Sequence, residues 1–127
     1  MMRRAGLTTG LTMAAAVLFV LANAGAALAD YGAIAYDQGS CSVGRSWHYN
    51  SPRRAADVAL SECGHSGCRI ILEIGPGLCG ALAITDNCRG YGWARRESRD
   101  AARLAAMENC QHYNAGQCTV RTVDCNH

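Results

Sequence analysis

The chain has 127 residues, 50% of them hydrophobic and 17% charged, with 12 basic against 10 acidic residues and a formal net charge of +2. Every basic residue is an arginine, and two of them, Arg3 and Arg4, precede a long apolar run; the rest of the chain carries as many arginines as acids. That neutral remainder gives no electrostatic case for nucleic acid, whose binding usually demands a basic face, and none for an anionic membrane surface.

Residues 1–29 read as a signal peptide. Arg3 and Arg4 form its positive start, Leu11 to Leu28 is apolar except for Thr12 and Asn23, and Ala27-Leu28-Ala29 is a small-x-small cleavage pattern, which places the cut before Asp30. A retained membrane anchor is the alternative, because the apolar run approaches spanning length. No cysteine stands at the cut, which argues against a lipoprotein. After the leader no apolar run is long enough to span a bilayer, so no membrane contact is expected once it is removed. Residues 30–127 fit one small domain, placed outside the cell or in its envelope.

Next in order comes "YGAIAY", Tyr31 to Tyr36, and a near copy, "CGALAI", follows at Cys79 to Ile84. Ile34 and Tyr36 alternate with Ala33 and Ala35, the period of a strand; the small residues imply close approach of a second layer. The Gly- and Ser-rich "DQGSCSVG" predicts a hairpin connection, followed by a strand holding Trp47. Ser51 suits a helix N-cap and Pro52 the first helical position. Ala56, Ala59, Leu60 and Cys63 then fall on one stripe, predicted to be buried. "RIILEI" is predicted as a strand with Ile70, Leu72 and Ile74 on one side. Gly75-Pro76-Gly77 punctuates the chain. The second half repeats the first: Cys88 answers Cys41, Trp93 answers Trp47, and "SRDAARLAAMENC" from Ser98 answers "SPRRAADVALSEC" from Ser51 without a gap. Ser98 is the second cap, with Leu104 and Met107 predicted to face inward. The expected fold is therefore a small disulfide-rich α+β domain of two ββαβ repeats, residues 31–75 and 79–125, about a pseudo-twofold axis.

All eight cysteines, 41, 63, 68, 79, 88, 110, 118 and 125, follow the leader. That density and even count point to a disulfide scaffold. Eight cysteines allow about 105 connectivities, which the repeat narrows. Cys63–Cys68 and Cys110–Cys118 each close a helix-to-strand turn. Cys41 and Cys88, at equivalent hairpins, meet across the axis. Cys79–Cys125 joins the first and last strands of the second half.

Three chemical readings compete for the remaining residues. "CGHSGC" and "CQHYNAGQC" each set a His two places after a Cys, and these are zinc-ligand types; an oxidising compartment favours a disulfide turn with an exposed His instead. No metal or cofactor is expected. Catalytic candidates are His48, His65, His112, Asp86 and Glu73, but no serine sits in a nucleophile elbow and bonded thiols leave no cysteine nucleophile. No catalytic set is therefore assigned. "GYGWARRESRDAAR" concentrates Tyr91, Trp93, Arg95, Arg96, Arg99 and Arg103. Tyr91, Arg95, Arg96 and Arg99 form a candidate contact patch, since arginine and aromatic residues are favoured in interfaces, and a carboxylate or phosphate suits the helix start. Trp93 itself is expected in the core, like Trp47.

"YGAIAY", the Trp strand, "SPRRAADVALSECGHSGCRI" and "CGALAI", with a second helix ending in Cys, resemble the domain of unknown function 4189 family of secreted bacterial proteins. The resemblance covers essentially the whole chain after the leader. It implies secretion and a compact disulfide-bonded domain, and supplies no catalytic residues. Cys41 and Cys88 look like additions to the family's commoner cysteine set, so their bridge rests on the repeat alone.

The expected role is a non-enzymatic extracellular or cell-envelope interaction module, monomeric or weakly dimeric, acting on an unidentified protein or envelope partner. The alternatives are an envelope-acting hydrolase and an inhibitor of a secreted enzyme.

Overall fold

The alternation in the two "YGAIAY"-like stretches decides the architecture. The structure, a computed structural model, describes Gly6 and residues 30–127; the expected signal peptide lies outside the described residues. The elements run β1 (Tyr31–Asp37), β2 (Ser42–Tyr49), α1 (Pro52–Cys63), β3 (Arg69–Ile74), then β4 (Cys79–Thr85), β5 (Tyr91–Arg96), α2 (Arg99–Gln111) and β6 (Cys118–Cys125). This is ββαβ twice. Each repeat makes its own antiparallel sheet, β2-β1-β3 and β5-β4-β6, with the "YGAIAY"-like strand at the centre.

The large residues of the central strands turn toward each other. Ile34 and Tyr36 of β1, Leu82 and Ile84 of β4, and Leu72 and Ile74 of β3 form one core between the sheets. The small residues face outward, each set under a helix. Ala33 and Ala35 meet Ala55, Ala59 and Cys63 of α1; Ala81, Ala83 and Ala94 meet Ala102, Ala106 and Cys110 of α2. The result is four layers, helix, sheet, sheet, helix. Alanine on both sides lets each helix lie close to its sheet. Gly44 and Gly92 go further: a Cβ on Gly44 would strike the Ala59 carbonyl and Cys63 nitrogen, and one on Gly92 the Ala106 carbonyl and Cys110 nitrogen.

Both helices begin where their serines place them. Ser51 Oγ accepts from Arg54 N at 3.1 Å, with Pro52 in the first turn, and Ser98 Oγ accepts from Ala101 N at 3.2 Å. Satisfying a free first-turn N–H this way is worth about 1 kcal/mol. At the other end of α1, Gly64 takes the left-handed conformation, and its N–H donates to the Leu60 carbonyl.

Several sequence expectations need correction. The buried stripe of α1 is Ala55, Ala59 and Cys63; Ala56 is only half-buried and Leu60 is exposed. On α2 the buried residues are Ala102, Ala106 and Cys110, and Leu104 is 67% exposed, while Met107 packs at the core margin. In both helices the glycine of the edge strand draws the alanine face inward, which rotates the larger residues out. Ile70 does not share a side with Leu72 and Ile74: the register slips between Ile34↔Leu72 and Ala35↔Ile70, so Ile71 packs with the inter-sheet core and Ile70 with the α1 side. A one-residue bulge of this kind moves every later side chain to the other face.

The tryptophans are not equivalent. Ala35 pairs with Gly44 and Ala83 with Gly92, and both glycines touch their helix at the same post. Counting on from them, Arg45 corresponds to Trp93 and Trp47 to Arg95. Trp47 packs against the inter-sheet core, its indole N–H buried with no hydrogen-bond partner among the described residues. Trp93 is 41% exposed, not a core residue.

Candidate functional site

Four disulfides set the frame on which any site rests. Cys63–Cys68 and Cys110–Cys118 close the helix-to-strand turns, Cys79–Cys125 crosses from β4 to β6, and Cys41–Cys88 joins the two hairpin turns. Cys41 and Cys88 both hold a left-handed backbone, at φ 63° and 61°. Equivalent residues that bond to each other must straddle the axis relating the repeats. Around that bridge the hairpins interlock further: Tyr36 Oη donates to the Cys88 carbonyl at 3.0 Å and Gln38 Nε2 to the Arg89 carbonyl at 2.6 Å.

Two titratable groups in this region are shifted. Burial raises Tyr36 above the usual 10.0, with nearby Arg121 opposing and Tyr91 and Asp37 adding to it. Asp37 lies below the usual 3.8, chiefly because the Ser40 hydroxyl donates to its carboxylate at 2.6 Å, with the backbone N–H of Gly39 also donating.

The candidate contact residues divide into two places. Arg95, Arg96 and the start of α2 line an open groove of about 640 Å³ with Leu78, Glu97, Ser98 and Ala101. There the guanidinium groups are tied to the protein itself. Arg95 Nη1 donates to the Glu73 carbonyl at 2.8 Å, and Arg96 Nη1 to the Arg95 carbonyl at 2.6 Å. Arg99 donates to the Val123 carbonyl at 3.0 Å and to Asp124 Oδ1 at 3.1 Å. Tyr91 stands elsewhere. Its ring lies between Tyr36, 5.1 Å away between centroids, and Tyr113, stacked at 6.0 Å.

Tyr91, Gly92, Trp93, Asn109 and Tyr113 line a groove of about 230 Å³ along the free edge of β5. Tyr113 is 59% exposed. Asn109, on α2, donates from Nδ2 to the Trp93 carbonyl at 2.9 Å. The corresponding posts of the first repeat, Val43, Arg45 and Glu62, line a second groove of about 230 Å³ together with Arg121 and Thr122 of β6 in the other repeat. Val43 answers Tyr91, Arg45 answers Trp93 and Glu62 answers Asn109. One scaffold position thus carries charge in one copy and aromatic faces in the other. Tyr113 was not among the residues picked out from sequence; the signal that locates its groove is the glycine register, which sets Trp93 opposite Arg45 instead of Trp47.

The other candidates are dispersed. His48 Nδ1 lies 3.3 Å from Asp30 Oδ2. His65 is exposed in the Cys63–Cys68 turn, His112 caps the end of α2, Glu73 is exposed on β3 and Asp86 is exposed after β4. The sulfurs of both Cys-x-His motifs are held in disulfides. Cys79, Cys125 and His127 also come together, with His127 Nε2 3.5 Å from Cys79 Sγ, but both sulfurs are bonded to each other and offer no thiolate to a metal. No helix among the described residues is long and apolar enough to cross a membrane.

Comparison with known proteins places this geometry. The chain is similar to the uncharacterized protein Rv1813c of Mycobacterium tuberculosis, at 39% identity over 74 residues, covering 57% of this chain and 50% of that protein. It is similar to the protein Rv1269c of the same organism, at 43% identity over 56 residues, covering 44% of this chain and 43% of that one. The chain thus spans about half the length of the curated relatives it matches. The NMR structure of Rv1813c aligns with a TM-score of 0.54 and 31% identity, covering 76% of this chain and 75% of that one. Residues 31–125 match the family described as Domain of unknown function (DUF4189), and the chain belongs to that family.

Proposed function

We propose that this protein is a secreted, non-enzymatic interaction module that works outside the cell or in its envelope, holding a rigid aromatic face toward its partner. The observation that carries the reading is the exposure of Trp93 and Tyr113 beside Asn109 on a frame cross-linked four times. Large aromatic side chains turned to solvent anchor interfaces, because each covers much area at low entropic cost. A cross-linked frame adds to this by holding the contact residues in their bound arrangement beforehand. Disulfides persist in oxidising compartments, which supports the extracellular setting.

The test is capture from the producing bacterium's envelope and culture fluid, with the oxidised protein as bait. A Trp93→Ala/Tyr113→Ala variant with unchanged fold should lose the captured partner, and Arg95→Ala/Arg96→Ala should keep it. Turnover of envelope polymer by the purified protein would instead establish the hydrolase alternative. Capture indifferent to the aromatic pair would remove this face from the account.

A further inference from the structure

We infer that the groove of the second repeat is a binding site for a neutral saccharide, with one sugar ring laid on Trp93 and Tyr113. The inference rests on the interaction-module reading and gives that face a ligand class. Three observations carry it. First, every lining side chain is uncharged, whereas two of the equivalent posts in the first repeat hold Arg45 and Glu62, with Arg45 Nε 3.9 Å from Glu62 Oε1. The same scaffold posts are therefore able to carry charge, and in this copy they carry none. A neutral ligand loses no charge hydration on entering the groove, whereas a charged ligand would lose hydration with no partner to replace it.

Second, the lining is aromatic: Trp93, 41% exposed, and Tyr113, stacked on Tyr91 with an interplanar angle of 15°. A sugar ring presents an apolar C–H face to such a wall and hydroxyl groups at its rim. The volume of about 230 Å³ is below the roughly 300–1,000 Å³ of pockets for drug-sized ligands, and suits a single ring better than an extended segment of protein.

Third, Asn109 fixes what the ligand must bring. Its Nδ2 gives one N–H to the Trp93 carbonyl at 2.9 Å, which leaves the second N–H and Oδ1 to pair with a ligand. A donor beside an acceptor matches a sugar hydroxyl, which accepts and donates at one atom. A proline-rich peptide, which also favours aromatic grooves, offers carbonyls to that N–H but has no N–H at its prolines to give to Oδ1.

The test uses the oxidised protein and heteronuclear NMR. The probes are maltotriose, chitotriose and mannotriose, a sialylated trisaccharide as the anionic control, and a polyproline peptide. At least one neutral trisaccharide should shift the Trp93 indole and Asn109 side-chain amide signals and leave the Trp47 indole in place. Trp93→Ala should weaken that binding by about tenfold or more, Asn109→Ala should weaken it too, and Arg45→Ala should not. Preference for the anionic sugar, or shifts produced by polyproline alone, would overturn the saccharide assignment while leaving a binding face in place. Silence of Trp93 toward every sugar would also overturn it. The interaction-module reading would then stand or fall separately, on the capture experiment with the Trp93/Tyr113 variant.

Discussion

At the scale of single residues, the fold is most sensitive where there is no room. Gly92 lies against the backbone of α2 at Ala106 and Cys110. Gly92→Ala should therefore cost about 1–3 kcal/mol, the range for overpacking, read as a lowered midpoint in denaturant. Leu104→Ser, on the solvent side of the same helix, should stay within about 0.5 kcal/mol. Asn126 is the counterpart among polar groups. It is buried, its Nδ2 donates to the Ile74 carbonyl at 3.0 Å, and its Oδ1 accepts from His48 N at 3.1 Å. It thereby ties the end of β6 to β3 and to the irregular end of β2, where His48 has φ 63°. Tyr36 gives a pH signature. Its folded pKa is raised above 10.0, so the stability linked to it is complete below pH 10.0 and is lost as pH rises through the folded value. Phenolate absorbance should show Tyr36 ionising above the usual tyrosine value of 10.0. Tyr36→Phe should remove that alkaline loss of stability and, by deleting the hydrogen bond to Cys88, lower stability at neutral pH by about 1 kcal/mol.

At the scale of elements, the two repeats share a plan and differ in how they solve it. In β2, Ser46 accepts from Ala33 N at 3.1 Å and donates to the Ala55 carbonyl at 2.6 Å, bridging β1 and α1 where the β1–β2 register slips. The equivalent residue of β5 is Ala94, in a strand pair with an unbroken register. Ser46→Ala should leave the buried Ala33 N–H without the Ser46 acceptor and cost about 1–3 kcal/mol; the thermal midpoint is the measure. The plan itself was legible in the sequence. Alternation in "YGAIAY", the serine caps and the gapless match of the helices yield two ββαβ units. The facing of the helices was less legible, because in an alanine-rich helix more than one stripe looks apolar, and the glycine of a neighbouring strand decides between them. The two tryptophans misled for a related reason: a shared residue type suggested equivalence, while the pairing with β1 and β4 sets Trp93 two places away from Trp47's post. Bulges, as at Ile71, leave no reliable mark in a run of aliphatic residues.

At the scale of the molecule, the sheets meet through a modest core of six buried residues. Folding cost is therefore met partly by cross-links that restrict the unfolded chain. A bridge of the span of Cys41–Cys88 or Cys79–Cys125 contributes about 4 kcal/mol in the chain-entropy treatment, and Cys63–Cys68 about 2 kcal/mol. The Cys41–Cys88 bond has a particular place, since it joins the repeats to each other at their axis, and the aromatic series Tyr36, Tyr91, Tyr113 runs outward from it toward the groove. The groove is thus supported by contacts that cross between the copies. Peptide mapping of the unreduced protein tests this arrangement most directly. The account predicts cross-linked peptides for 41–88, 63–68, 79–125 and 110–118 and no others. A Cys41–Cys63 or Cys88–Cys110 peptide, which would close each repeat on itself and leave the two copies unjoined at the hairpins, would contradict it.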